Sequence, residues 1–315
     1  MNTAHPIRRS LTIILLIMSA VACGGSRQLA TPAAPHLSAG VKELQKADAW
    51  YRKGCYPKAL HHYRRAYPEL VAGDHLQEMA VCLNNMGNTY LRTGKADSAL
   101  VFFNEALDID LGSANTASMR ATLVNKTTAL THLGRYDAAD AALSEARAAG
   151  PPAGPDAAPL LAADAVLQMR RGNPDAARAL LAQAMTSVGD NDTATAALIH
   201  YSLGHLARSD GDLDAGMAHF EKALAADHLQ GYYRGMADDL KAMGDIRATQ
   251  DRLREAAGFY KRSISLYALI DAAPEADALR GPLAQAASAS GQTTDVTLHF
   301  VNDWLGNKAF NGPCE

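Results

Sequence analysis

The apolar positions along this chain fall in helical pairs that repeat. Leu83, Met86, Gly87 and Tyr90 stand at i, i+3, i+4 and i+7, which is one face of a helix. Gly94 follows and marks the end of that helix. Ala99, Phe103, Ala106 and Leu107 then line one face of a second helix. No run of β-branched residues alternates with period two, so the pattern predicts helices and no sheet.

The same register recurs along the chain. The first unit has Ala47, Trp50, Gly54, Tyr56, Ala59, Tyr63 and Ala66, and the third has Leu123, Leu130, Gly134, Tyr136, Ala139, Leu143 and Ala146. The fourth keeps Leu161, Ala165, Gly172, Ala177, Leu181 and Ala184 without aromatics. The fifth has Leu203, Gly204, Gly211, Gly216, Phe220 and Ala223, and the sixth Leu240, Gly244, Ala256, Tyr260 and Ser263. In a seventh only Gly291, Phe300 and Trp304 survive, which suits an end cap. Gly54, Gly94, Gly134, Gly172, Gly211, Asp251 and Gly291 are separated by 40, 40, 38, 39, 40 and 40 residues. A fixed period in this range means stacked helical units rather than one globular core.

These residues resemble the tetratricopeptide repeat (TPR), in which small residues at a crossing let two antiparallel helices pack closely. The resemblance implies an all-α, right-handed superhelical solenoid of about seven helix-turn-helix repeats over residues 39–305, followed by a tail at 306–315. The departure is length, since the family's usual unit is about 34 residues and this one is about 40. Residues 149–159, with Gly150, Pro151, Pro152, Gly154, Pro155 and Pro159, break the helical pattern. The period barely changes across them, which favours a rigid turn between the third and fourth units over a hinge.

Residues 1–22 read as an export signal. Arg8 and Arg9 precede the apolar Leu11–Ala22 stretch, which is short for a membrane span. Ala22-Cys23-Gly24 resembles the lipobox of bacterial lipoproteins, though Ala20 stands where that family usually has leucine. The resemblance implies cleavage before Cys23 and lipids on its thiol and new amine. With no aspartate after Cys23, it implies the outer membrane, on the periplasmic side. Residues 23–38 carry Gly24, Gly25, Pro32 and Pro35 and read as a flexible tether.

If Leu83, Met86, Gly87 and Tyr90 face neighbouring helices, Asn84, Asn85, Asn88 and Arg92 lie on the other side of theirs. In TPR proteins that side lines a concave groove. The same register gives Gln45, Asp48 and Arg52 in the first unit, and Asn125 and Thr128 in the third. It gives Tyr201 and His205 in the fifth, with Arg208 nearby, and Lys241 in the sixth. Gln45, Asn85 and Asn125 share one position in three consecutive units. Carboxamides donate and accept, so they pair with a peptide backbone of any sequence, and arginine adds carboxylate recognition. Polar stripes of this kind are also the ordinary solvated face of a surface helix.

Composition narrows the function classes. A net charge of −3 lacks the basic excess expected of a nucleic-acid binder. Phe300, Trp304 and Phe310 stand out in a chain with only 6% aromatics, as an end cap or as an anchor for a partner. Cys55 and Cys82 are expected too far apart to pair, and the simplest reading leaves the thiols free or buried. Cys314, near the chain end, is placed to reach another chain. Adjacent His61 and His62 diverge on a helix and, with His75, give no convincing metal-ligand spacing. No phosphate loop, serine elbow, HExxH or paired-cysteine motif is present, so neither cofactor, metal nor catalysis is expected.

The sequence therefore predicts a lipid-anchored periplasmic adaptor that binds protein or peptide partners. TPR lipoproteins serve pilus or secretin assembly, outer-membrane protein insertion and cell-wall enzyme regulation. Two alternatives stay open: a scaffold that self-associates through the C-terminal aromatics or Cys314, and a small-ligand receptor or enzyme in the same groove.

Overall fold

A computed structural model describes residues 35–149, 157–306 and 314. The proposed signal segment, Cys23, most of the tether, Phe310 and the proline-rich residues 150–156 lie outside the described residues. Fourteen helices and no strand are found among those described. Helices α1 (Pro35–Arg52) and α2 (Tyr56–Ala72) form the first pair, α3 (Leu76–Arg92) and α4 (Ala96–Ser113) the second, and α5 (Thr116–His132) and α6 (Tyr136–Ala148) the third. Then follow α7 (Ala157–Arg171) with α8 (Pro174–Ser187), α9 (Thr193–Ser209) with α10 (Leu213–Gln230), and α11 (Tyr233–Thr249) with α12 (Leu253–Leu269). Helices α13 (Ala273–Ala289) and α14 (Asp295–Gly306) complete the chain.

Two glycine positions recur among the pairs. The first is the turn between helices, where Gly94 has φ +75° and Gly134 +70°, a left-handed geometry that costs other residues energy. Asp251 adopts φ +57° at the one turn that lacks glycine. The second is the crossing. A Cβ added to Gly87 would stand 2.5 Å from the Phe103 ring, and the same holds for Gly244 against Tyr260. The missing methyl admits the ring, and Phe103 and Phe220 are fully buried as a result. Burying one such side chain contributes about 1.5–3 kcal/mol.

The stack curves for a reason visible in the contacts. The first helices of successive pairs touch one another, α1 with α3, α3 with α5, α5 with α7 and α7 with α9. The second helices α2, α4, α6, α8 and α10 make no comparable contacts among themselves. Closer spacing on one side bends a stack toward that side, so the first helices form its inner layer. Separate buried clusters, one following another along the chain, replace a single core.

Four expectations change. Helix α1 begins at Pro35, inside the stretch read as tether, and α7 begins at Ala157, so Pro159 falls in a first helical turn. No intrahelical partner is lost there, which is why proline is tolerated. The seventh pair is not a hairpin, because α14 packs on α12. Trp304 rests on the terminal cluster and stacks with Phe300, whose surface stays 47% exposed. Finally, Cys314 is bonded to Cys55 of the same chain, with a Cα–Cα distance of 5.1 Å. It therefore forms an internal clasp and does not reach for a second chain. Cys82 remains a buried free thiol, donating to the Tyr63 carbonyl.

Candidate partner-binding site

The clasp belongs to a larger contact between the two ends of the stack. Ile270 lies against Gly54, 3.2 Å from where a Cβ would sit. Arg92, at the end of α3, places its guanidinium 5.1 Å from the centre of the Tyr232 ring. Its Nε donates to the Tyr51 hydroxyl at 3.3 Å. Arg92 is exposed on the inner face. The buried hydroxyls of Tyr56 and Tyr232 face each other without reaching hydrogen-bond geometry.

The inner-face residues fall into two groups. In the first, the carboxamides bind neighbouring helices. Asn85 donates to Asp48 Oδ1 at 3.1 Å, an oxygen that also accepts from the Tyr63 hydroxyl at 2.6 Å. Asn125 donates to Asn84 Oδ1 at 3.0 Å, and the Thr128 hydroxyl donates to the Val124 carbonyl. The Asn85–Asp48 and Asn125–Asn84 bonds stitch α1 to α3 and α3 to α5. Gln45 is exposed on α1 and Asn88 half-buried on α3. The shared register of Gln45, Asn85 and Asn125 is therefore in part an inter-repeat seam.

The second group surrounds α9 and α11. The Tyr201 ring meets His205 at 4.5 Å and Phe220 at 5.7 Å. Arg208 pairs with Asp245 at 3.3 Å, and Lys241 with the same carboxylate at 2.8 Å. Burial, then the charges of Arg208 and Lys241, lower the His205 pKa to about 4, so this imidazole is neutral near pH 7.

Arg52 and Arg92, both read from the sequence as inner-face residues, stand two residues before a turn glycine, and the sequence reading did not extend that register to His132 and Arg170. Arg52, Arg92, His132 and Arg170 share that position in four consecutive units. Burial, then the charges of Arg170 and Arg92, lower the His132 pKa. The glycine spacing already carried this signal. Sequence reading also missed a buried acidic group behind Tyr232. Asp227 is pushed up to about 7 and Asp239 to about 9, both chiefly by burial. Asp238 is raised too, and the Tyr267 hydroxyl donates to it.

Of the histidines considered as ligands, His62 bonds Glu43 at 2.7 Å, and its ring stands at 80° to that of His61. No group of three or more metal-ligating side chains occurs among the described residues.

Comparison with known proteins agrees with the fold. Residues 41–111 and 197–227 match tetratricopeptide repeat models, so the chain carries tetratricopeptide repeats. The crystal structure of the APC/C hetero-tetramer Cut9–Hcn1 is similar over 85% of this chain and 53% of that one, at 16% identity and a TM-score of 0.51. The chain thus spans about half the length of that relative. A structure of Pseudomonas aeruginosa pilF matches 72% of this chain and 96% of its own, at 17% identity and a TM-score of 0.42. The TPR2AB-domain–pHSP90 complex of yeast Sti1 matches 79% and 98%, at 12% identity and a TM-score of 0.36. No curated protein matches in sequence. The fold is thus an all-helical solenoid like that of TPR proteins.

Proposed function

We propose that the protein is a membrane-anchored adaptor that holds protein or peptide partners on the inner face of its first helices, in the periplasm. The observation that carries the reading is the polar character of that face. Gln45, Asn88, Arg92 and Arg170 stand there with accessible surface, and neither arginine has a carboxylate partner among the described residues. A surface with this much unspent hydrogen-bonding capacity suits the backbone and side chains of another protein.

Site-specific photocrosslinking in cells tests the reading. A photoreactive residue at Gln45 or Asn88 is expected to capture a defined set of proteins. The same residue at Val101, exposed on the second-helix side, is expected not to. Equal capture from both positions overturns the inner-face assignment. The anchor rests on the lipobox-like Ala22-Cys23-Gly24. Cys23→Ser is expected to abolish labelled palmitate incorporation and release the protein from the membrane fraction. Retention of both in the variant removes the lipoprotein part of the proposal.

A further inference from the structure

The fifth unit departs from its neighbours at one pair of positions, eleven residues before the turn residue and eight after it. The second, third and fourth units hold Leu83 with Phe102, Leu123 with Ala142, and Leu161 with Leu180 there. Around Asp251, in the sixth unit, the pair is Leu240 with Phe259. All eight side chains are buried or half-buried. Around Gly211, in the fifth unit, the same places hold His200 and His219. Exchanging an apolar pair for two imidazoles gives up packing and desolvates polar nitrogens, so the fold does not ask for it. The first unit shows how one imidazole is accommodated there, since His62 meets the Glu43 carboxylate at 2.7 Å. His200 stands in the place of Glu43, and His219 meets a second imidazole instead of an acid.

The two rings face each other across α9 and α10. Their Nδ1 atoms are 3.1 Å apart and their planes are inclined by 36°. Both residues are half-buried, so solvent reaches them, and neither has a carboxylate partner among the described residues. Two imidazole nitrogens on one first-row metal ion, at about 2.0–2.1 Å and with about 90–110° between them, stand about 2.8–3.4 Å apart. The separation in the fifth unit falls inside that range. The torsion that turns a histidine ring is broad, so small rotations bring both lone pairs to one point. Burial chiefly lowers the pKa of both rings, which leaves them neutral near pH 7, the form that ligates a metal. Lys222 is the cation that acts on both, but it is exposed and its charge is screened by salt.

We propose that His200 and His219 form a two-histidine site for a first-row divalent transition-metal ion, which binds copper(II) more tightly than zinc(II) and does not take magnesium. Imidazole nitrogen suits copper and zinc, whereas magnesium prefers oxygen ligands. No group of three ligating side chains forms among the described residues, so water completes the coordination. In the hydrogen-bonded pair one Nδ1 carries a proton that the other accepts. On binding, that proton passes through solvent to the Nε2 of its own ring, and both Nδ1 lone pairs go to the metal. The ion ties α9 to α10 and stabilises the fold by mass action. The site is distinct from Gln45 and Asn88, so it stands or falls independently of the adaptor reading.

Calorimetric titration of the untagged full chain with copper(II), zinc(II) and magnesium chlorides tests the site. Copper(II) and zinc(II) are each expected to show one strong equivalent that magnesium lacks. His200→Leu and His219→Leu are each expected to weaken that equivalent by at least about tenfold. Each variant restores a leucine that other units carry at that place, so both are expected to melt at or above the native midpoint when no metal is added. Zinc(II) is expected to raise the native midpoint and to leave those of the two variants unchanged. His61→Ala, an exposed histidine on α2, is the control and is expected to keep the strong equivalent. Electron paramagnetic resonance of the native protein with one equivalent of copper(II) is expected to show two imidazole nitrogens on the metal. A strong equivalent that survives in both leucine variants, or that the native protein lacks, overturns the site and leaves the pair as an N–H···N hydrogen bond. A copper(II) spectrum with a single imidazole nitrogen overturns it as well.

Discussion

The Arg92 guanidinium lies 5.1 Å from the centre of the Tyr232 ring, which ties the end of α3 to the residue preceding α11. This contact joins parts of the chain that stacking alone would leave apart. A cation over an aromatic face contributes about 0.5–2 kcal/mol, more when water is excluded. Tyr232→Ala also removes the ring from its packing and is expected to cost about 3 kcal/mol in urea denaturation. Tyr232→Phe keeps the ring and deletes a buried hydroxyl that makes no hydrogen bond, so it is expected to be neutral or slightly stabilising. Equal losses in the two variants would mean that the hydroxyl, and not the ring, carries the stabilisation.

The Cys55–Cys314 bond spans 259 residues of sequence. Closing so long a loop restricts the unfolded chain strongly, and native disulfides of this kind contribute about 2–5 kcal/mol. Cys314→Ser is expected to lower the denaturation midpoint by a corresponding amount, and reductant to do the same to the native protein but not to the variant. Sedimentation velocity is expected to give one species with and without reductant. A dimer that dissociates on reduction would restore the role of Cys314 as a link between chains.

Two glycines of one repeat are predicted to fail for different reasons. At Gly94 a side chain meets nothing within 4 Å, but the φ of +75° is left-handed, so Gly94→Ala is expected to cost about 1–2 kcal/mol through the backbone. At Gly87 the backbone is ordinary helix, and the new methyl strikes the Phe103 ring at 2.5 Å. Gly87→Ala is expected to cost about 1–3 kcal/mol by overpacking, despite alanine's better helix propensity. Phe103→Leu is expected to relieve part of the Gly87→Ala loss and none of the Gly94→Ala loss. A double-mutant cycle measures both.

The contrast between these glycines also explains what the sequence made legible. Gly87, Phe103 and Gly94 recur with period and type, because a helix crossing and a left-handed turn each accept few residues. The fold follows from them. The groove is less legible, since a polar residue on an inner face looks the same whether it is open or bonded to the next repeat. Asn85 and Asn125 share a register with Gln45, yet only distances reveal that both donate to neighbouring helices. The basic residues Arg92, His132 and Arg170 are periodic in the sequence as well. Helix ends often carry such charges, so periodicity alone does not separate them from dipole partners. The Arg92–Tyr232 and Cys55–Cys314 contacts were not legible at all. They depend on how small rotations add up over several repeats, which no local pattern records.

Asp239 gives the stack a pH dependence with a definite sign. Its two carboxylate oxygens are buried without a hydrogen-bond partner, and its surface is 1% exposed. Burial first, then the charges of Asp227 and Asp238, pushes its pKa up to about 9. An unfolded aspartate titrates near about 3.9. Between those values the folded protein holds a proton that the unfolded chain has released, so stability falls as pH rises. The contribution is full below the unfolded value, is lost progressively up to about 9, and is flat beyond. The slope inside the window reaches at most about 1.4 kcal/mol per pH unit. Asp227, raised to about 7, acts in the same direction over the lower part of that range. Asp239→Asn keeps the shape and removes the titration. Urea denaturation from about pH 5 to about pH 8 is therefore expected to give a visibly shallower decline in the variant than in the native protein. Parallel slopes for the two proteins would mean that Asp239 is ionised in the fold. Some cation would then have to be found for it in a cluster that offers none within hydrogen-bond distance.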